Sequence, residues 1–296
     1  MKFPQAEAMH RKQRLHQRMI LNTIAKNMFL LATLFGLIVL FILIYRVIAD
    51  GIGWLNINFL TGKLSTDFEK TGIMGAILGT VWLMIVVTPL TMMLGIGTAL
   101  YLECYAKKGR LQRFIETNIA NLAGVPSIIY GILGMTVFSR ALGLGNVVLA
   151  GGLTMSLLIL PIVIVASQEA IRSVPYHWSE ASYGMGATKW QTIRRVILPA
   201  ALPGILTGAI LSLSRAIGET APLVVIGIPA LLIPFPQSIF DTFTVLPMQI
   251  YYWTLDSSLV EQYANLAAAT IIVLLTILLL LNATAIIIRN KFQKRY

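Results

Sequence analysis

Charge is scarce in this 296-residue chain: it has 23 Lys and Arg and 12 Asp and Glu, together 12% of the residues. A soluble domain carries about 25%, and a chain with so few charges could not cover its folded surface with solvated groups. Cysteine is limited to Cys104, which excludes an intrachain disulfide. The three histidines, His10, His16 and His177, lie in the charged segments, and neither H-E-x-x-H nor G-x-S-x-G occurs. An intramembrane hydrolase therefore has nothing to work with, and no catalytic or metal-ligating set is expected. A phosphate-cradling G-x-x-x-x-G-K-[ST] loop is also missing, because Gly62-Lys63 lacks the preceding glycine.

Apolar residues are plentiful. They make up 57% of the chain, and the mean hydropathy is +0.78. Several uncharged runs approach or exceed the roughly 18 residues of a membrane span. The expected fold is an all-α polytopic membrane protein with about six transmembrane helices. The runs place the spans at about 27–48, 73–100, 117–138, 144–167, 199–221 and 263–288. Residues 1–26 read as an N-terminal segment and 27–296 as a single transmembrane domain. The first run is longer than the apolar part of a signal peptide and lacks a good cleavage site, so it reads as an uncleaved span.

The net charge of +11 follows from topology. The N-terminus, 101–116, 168–198 and the tail share one side of the membrane and hold 18 basic residues, against 4 on the other side. By the positive-inside rule both termini are cytoplasmic. The basic residues then face anionic lipid head groups, and no soluble surface is left for nucleic acid.

Segment 168–198 is long for a connection between spans. Read on its residues alone it is a solvated amphipathic connection, or a docking segment whose small residues let a partner approach. Glu180-Ala181-Ser182, then Gly186 beside Ala187, then Val196-x-Leu198-Pro199 resembles the EAA signature of ABC importer permeases. Ser182 and Val196 are conservative departures from that pattern. The resemblance implies a type I importer architecture, with this segment as the cytoplasmic coupling helix that docks on a separate ATPase. ATP and Mg would sit on that partner, and this chain would carry no cofactor.

Arg215 and Glu219 belong to neither side, because they fall inside the fifth run. An arginine at the centre of a lipid-embedded helix costs about 2.5–3.5 kcal/mol on insertion scales, so its default is an interior or a solute path. The spacing i, i+4 puts the two on one helical face, continued back through Ser212, Gly208 and Gly204. Two readings stay open. In the first the glycines are a small-residue packing seam with a neutralising pair beside it; in the second the stripe lines a pathway. In the second reading Arg215 offers a permanently charged fork of donors to an oxyanion. Glu219 then holds the fork or repels unsuitable anions.

Ser214-Arg215-Ala216-Ile217-Gly218-Glu219-Thr220-Ala221-Pro222-Leu223 resembles the fifth-span signature of phosphate-importing ABC permeases of the PstA type. Gly124–Gly131 and Leu246–Tyr251 are similar to other segments of that family. The resemblance implies phosphate import across a bacterial inner membrane, with Arg215 and Glu219 as path residues. It also implies three kinds of partner: a PstC-type second permease, a PstB-type ATPase dimer and a PstS-type binding protein. Another oxyanion or solute, or a sensor or scaffold without transport, remain the alternatives.

Overall fold

Long apolar runs become long helices because a backbone in lipid must satisfy its own hydrogen bonds. In a computed structural model, which describes residues 3–65, 67–229 and 235–292, the first of these is α1, Phe3–Gly51. It runs through residue 26 without a break. Residues 1–50 form one compact unit and the chain from Gly51 onward another.

The second unit opens with the short α2, Ile57–Thr61, whose N-cap Asn56 accepts from the Phe59 N–H. Next come α3, Met74–Leu100, and a π-helical turn, Tyr101–Tyr105. The amphipathic α4, Arg110–Ala123, leads to α5, Ser127–Gly134, which a second π segment prolongs to Ala141. The central helix is α6, Val148–Arg172. Two short helices follow, α7 (Tyr176–Gly184) and α8 (Lys189–Thr192), then a third π turn, Ile193–Ile197. This turn feeds α9, Leu198–Gly218, and the short α10, Ala221–Ile226. The chain closes with α11, Leu246–Asp256, and α12, Gln262–Phe292. Among the described residues the only β-type pairing is one isolated bridge, Val147 with Thr242.

Among the described residues five helical stretches are long and apolar enough to cross a membrane, and six if one bent pair counts as a span. That pair corrects the expected third span at 117–138. The chain breaks at 124–126, and the two halves meet at 99°. The cause is local: a residue before proline is pushed out of the α region, and here Val125 precedes Pro126. Tyr130 closes the corner, its hydroxyl donating 2.9 Å to the Leu122 carbonyl at the end of α4. The other five expected spans overlap α1, α3, α6, α9–α10 and α12, with 144–147 preceding α6 and 219–220 breaking the helix between α9 and α10.

Helix α6 is the core of the second unit and packs between α3 and α9. Small residues set that approach. A methyl group on Gly204 would lie 2.8 Å from Ala170 Cβ, and one on Gly208 would collide with Ala166 Cβ. The segment after α10 turns inward at 243–248. Phe243, Val245, Leu246 and Met248 are buried. The Asp241 and Ile239 carbonyls accept from Val148 N–H (3.0 Å) and Leu149 N–H (2.8 Å), two free donors of the first turn of α6. Residues 230–234 of the proline-rich stretch, and Lys294 and Arg295 of the basic tail, lie outside the described residues.

Candidate transport path and coupling segment

Helix α9 belongs to a stretch, 189–218, that is long and apolar enough to cross a membrane. Arg215 lies in its last turn, but the helix stops at Gly218 and Glu219 is extended, with φ −81° and ψ 122°. The expected single helical face is therefore corrected: the two residues meet across a helix end. Glu219 Oε2 is 4.0 Å from Arg215 Nε, too long for a hydrogen bond. Among the described residues no hydrogen bond reaches the Arg215 guanidinium. Its side chain is 55% exposed, whereas that of Glu219 is 19% exposed.

The stripe behind Arg215 divides. Gly204 and Gly208 form the packing seam against α6. Ser212 is buried and its hydroxyl donates to the Gly208 carbonyl at 2.8 Å. The structure thus separates Ser212 from the open surface that Arg215 presents. Polar residues missed by sequence reasoning tie α9 to α12. Ser214 Oγ lies 2.6 Å from Asn282 Oδ1, and Arg289 Nη1 donates to Thr207 Oγ1 at 3.3 Å. Seven residues separate the two contacts on each helix, as antiparallel neighbours require. An uncharged asparagine inside an apolar run was the available signal.

The segment expected to couple to an ATPase owes its shape to its small residues. Gly186 has φ +82°, a left-handed conformation in which a Cβ is disfavoured. The Ala187 N–H bonds the Ser182 carbonyl (3.2 Å) and the Gly186 N–H bonds that of Tyr183 (2.9 Å). These two bonds are a Schellman motif at the end of α7. The four-residue step from Ser182 to Gly186 is the step this motif needs. Ser182 is buried, its hydroxyl 2.9 Å from the buried Thr192 Oγ1, so it pins α7 to α8. Glu180 and Ala181 face outward. Beside them Tyr176, Tyr183, Met185 and Trp190 are exposed, an apolar surface of the kind that marks a docking site.

A polar cluster lies at the base of this segment. Arg172 Nη2 is 2.7 Å from Glu103 and 3.2 Å from Glu116, and Nη1 is 3.3 Å from Glu169. The buried Gln168 donates to Glu103 at 2.8 Å. Gln112 donates to the Leu102 carbonyl and to Glu116, both at 3.2 Å. A cavity of about 480 Å³ separates the coupling segment from the π-helical turn; Glu103, Arg172, Tyr176 and Lys189 are among its lining residues.

Helices long and apolar enough to cross a membrane, packed through small residues, are those of a multi-pass membrane protein. Residues 91–296 match the family described as binding-protein-dependent transport system inner membrane component, and the chain belongs to that family. It is 38% identical over 216 residues to the phosphate transport system permease protein PstA 1 of Mycobacterium tuberculosis, covering 71% of this chain and 70% of that one. It is 32% identical over 206 residues to a probable ABC transporter permease protein, YqgI, of Bacillus subtilis, covering 70% of each. Among solved structures, a bacterial alginate ABC transporter superposes with a TM-score of 0.64 at 18% identity, over 93% of both chains. The MetNI methionine ABC transporter, in an inward-facing conformation, superposes with 0.59 at 17% identity, over 75% of this chain and 96% of that one. The fold is that of an ABC importer permease.

Proposed function

We propose that this chain is the permease subunit of an ATP-driven importer of inorganic phosphate and forms half of the translocation path. The observation that carries this reading is Arg215. It is a permanent cation near the end of a membrane-length helix, largely exposed, with no hydrogen bond among the described residues. Lipid cannot solvate it, so its surroundings in the assembly are water, a partner subunit or a passing anion. The relatives of the PstA type favour phosphate, whereas the fold is shared with transporters of methionine and alginate and does not choose.

In the working cycle a PstS-type binding protein delivers phosphate to the outer mouth, which includes parts of 49–72 and 222–262. A PstC-type permease supplies the other half of the path. A PstB-type ATPase dimer binds ATP and Mg and docks on the exposed face of 176–190, through Glu180, Ala181 and the loop at Gly186 and Ala187. Both termini are cytoplasmic, at the bacterial inner membrane. Arg215 attracts the anion in a low-dielectric cavity. Glu219, 4.0 Å away, offers the guanidinium another partner once the anion leaves, which limits its hold on the anion.

The test is ATP-dependent uptake of radiolabelled phosphate by the reconstituted complex, wild type beside Arg215→Gln, with assembly checked in both. Loss of uptake in an assembled variant is expected. Normal uptake would remove Arg215 from the path. Competition by sulfate and molybdate separates phosphate from other oxyanions. A wild type that moves no phosphate, with competent partners, would overturn the substrate.

A further inference from the structure

The coupling segment grips the same structural feature from both of its ends. It begins after Arg172, the last residue of α6, and ends at Lys189, the first residue of α8. Arg172 holds Glu103 at 2.7 Å, and Lys189 Nζ lies 4.8 Å from the ring centroid of Tyr105. Glu103 and Tyr105 both belong to the π-helical turn that ends α3. We propose that this turn, Tyr101–Tyr105, receives the movement of the coupling segment, and that Arg172 is the positioning residue that passes it on.

Three further observations support the assignment. π turns are rare, and they recur at functional sites. This one is joined to Arg172 and Lys189, on either side of α7, through Glu103 and Tyr105, beside a cavity of about 480 Å³ that leaves room for displacement. The Arg172 contact is also poised electrostatically. One guanidinium nitrogen serves both Glu103, on the turn, and Glu116, on α4. Without that cation the two carboxylates would face each other and repel. Arg172 therefore fastens α3, α4 and α6 into one body at the point where the coupling segment leaves it. A displaced segment pulls on Arg172 and Lys189 together, and the π turn, with α3 behind it, must follow.

The inference rests on the proposed docking of an ATPase at 176–190, and it does not depend on the cargo being phosphate. The experiment measures ATP hydrolysed and phosphate accumulated in the same proteoliposomes, using the full complex with its ATPase and binding protein. Arg172→Gln should keep hydrolysing ATP while the phosphate moved per ATP falls several-fold, and Arg172→Lys should recover part of the ratio. Glu103→Gln, which cuts the same link but leaves Arg172 with Glu116 and Glu169, should act in the same direction. It takes the place of Arg172→Gln if that variant does not assemble. An unchanged ratio in the assembled variants overturns the proposal, whether the two rates fall together or not at all. If the wild type moves no phosphate, the substrate reading fails and stimulation of ATP hydrolysis by the binding protein becomes the readout. A variant still stimulated like wild type then refutes the clamp, and one that hydrolyses ATP without responding supports it.

Discussion

Ser182 shows how a residue chosen for smallness can also act through its hydroxyl. It is buried, and Thr192 is its partner. Ser182→Ala leaves the Thr192 hydroxyl buried and unpaired, at a cost of about 1–3 kcal/mol. A lower unfolding temperature of the purified complex is expected, with most of the loss restored in Ser182→Ala/Thr192→Val. Gly186→Ala forces a Cβ into the left-handed region and should cost about 1–2 kcal/mol, read in the same thermal assay. At Arg215 the expectation concerns charge against shape. Arg215→Lys retains the cation but loses the fork, so uptake should fall less than in Arg215→Gln. The motif residues were legible in the sequence because Glu180, Ala181, Ser182 and Gly186 are local and closely spaced. The Arg172 cluster was not, because Glu103, Glu116 and Arg172 are brought together by folding across dozens of residues and no periodicity announces such a pairing.

At the scale of helices, the seam between α6 and α9 makes a sharp prediction. Gly208 meets Ala166 with no room for a methyl group. Gly208→Ala should destabilise the assembled permease by about 1–3 kcal/mol, as overpacking does, and Ala166→Gly should restore most of it. The measure is residual assembly after graded heating in detergent. The seam was readable from Gly204-x-x-x-Gly208, although its partner helix was not. The third span was misread for a physical reason: hydropathy averages over Gly124-Val125-Pro126, whereas the backbone cannot. The charges of α4 gave a hint, since Arg110, Arg113 and Glu116 suit a membrane surface better than its interior. Glu219 was placed on the helix by counting, but the chain leaves the α conformation after Gly218, ahead of Pro222.

For the whole molecule, the bias of basic residues makes orientation testable. A periplasm-dependent reporter such as alkaline phosphatase should be active when fused after Lys63 and inactive when fused after Lys189. The reverse pattern would invert the topology and move the apolar docking face to the wrong side for an ATPase. The helical class and five of the spans were legible from length and hydropathy alone, because lipid permits little else. The interior character of 243–248 was not, because apolar residues close to a proline-rich stretch read equally as surface and as core. Only the donors at the start of α6, capped by the Ile239 and Asp241 carbonyls, explain why that stretch turns inward.

The third π turn gives residue count an angular meaning. A π turn holds more residues than an α turn, and in an α-helix each residue turns the chain by about 100°. The nine residues between Gly186 and Val196 include most of Ile193–Ile197. Deleting one residue inside the turn would let it relax to α while α8 keeps its bearing about the axis of α9, because the π turn already holds one residue more than an α turn. A deletion in the regular helix beyond it, Leu198–Gly218, has no such slack and would swing α8 by about 100°, taking Lys189 off the Tyr105 ring. The π turn thus acts as a length buffer between α9 and the docking face.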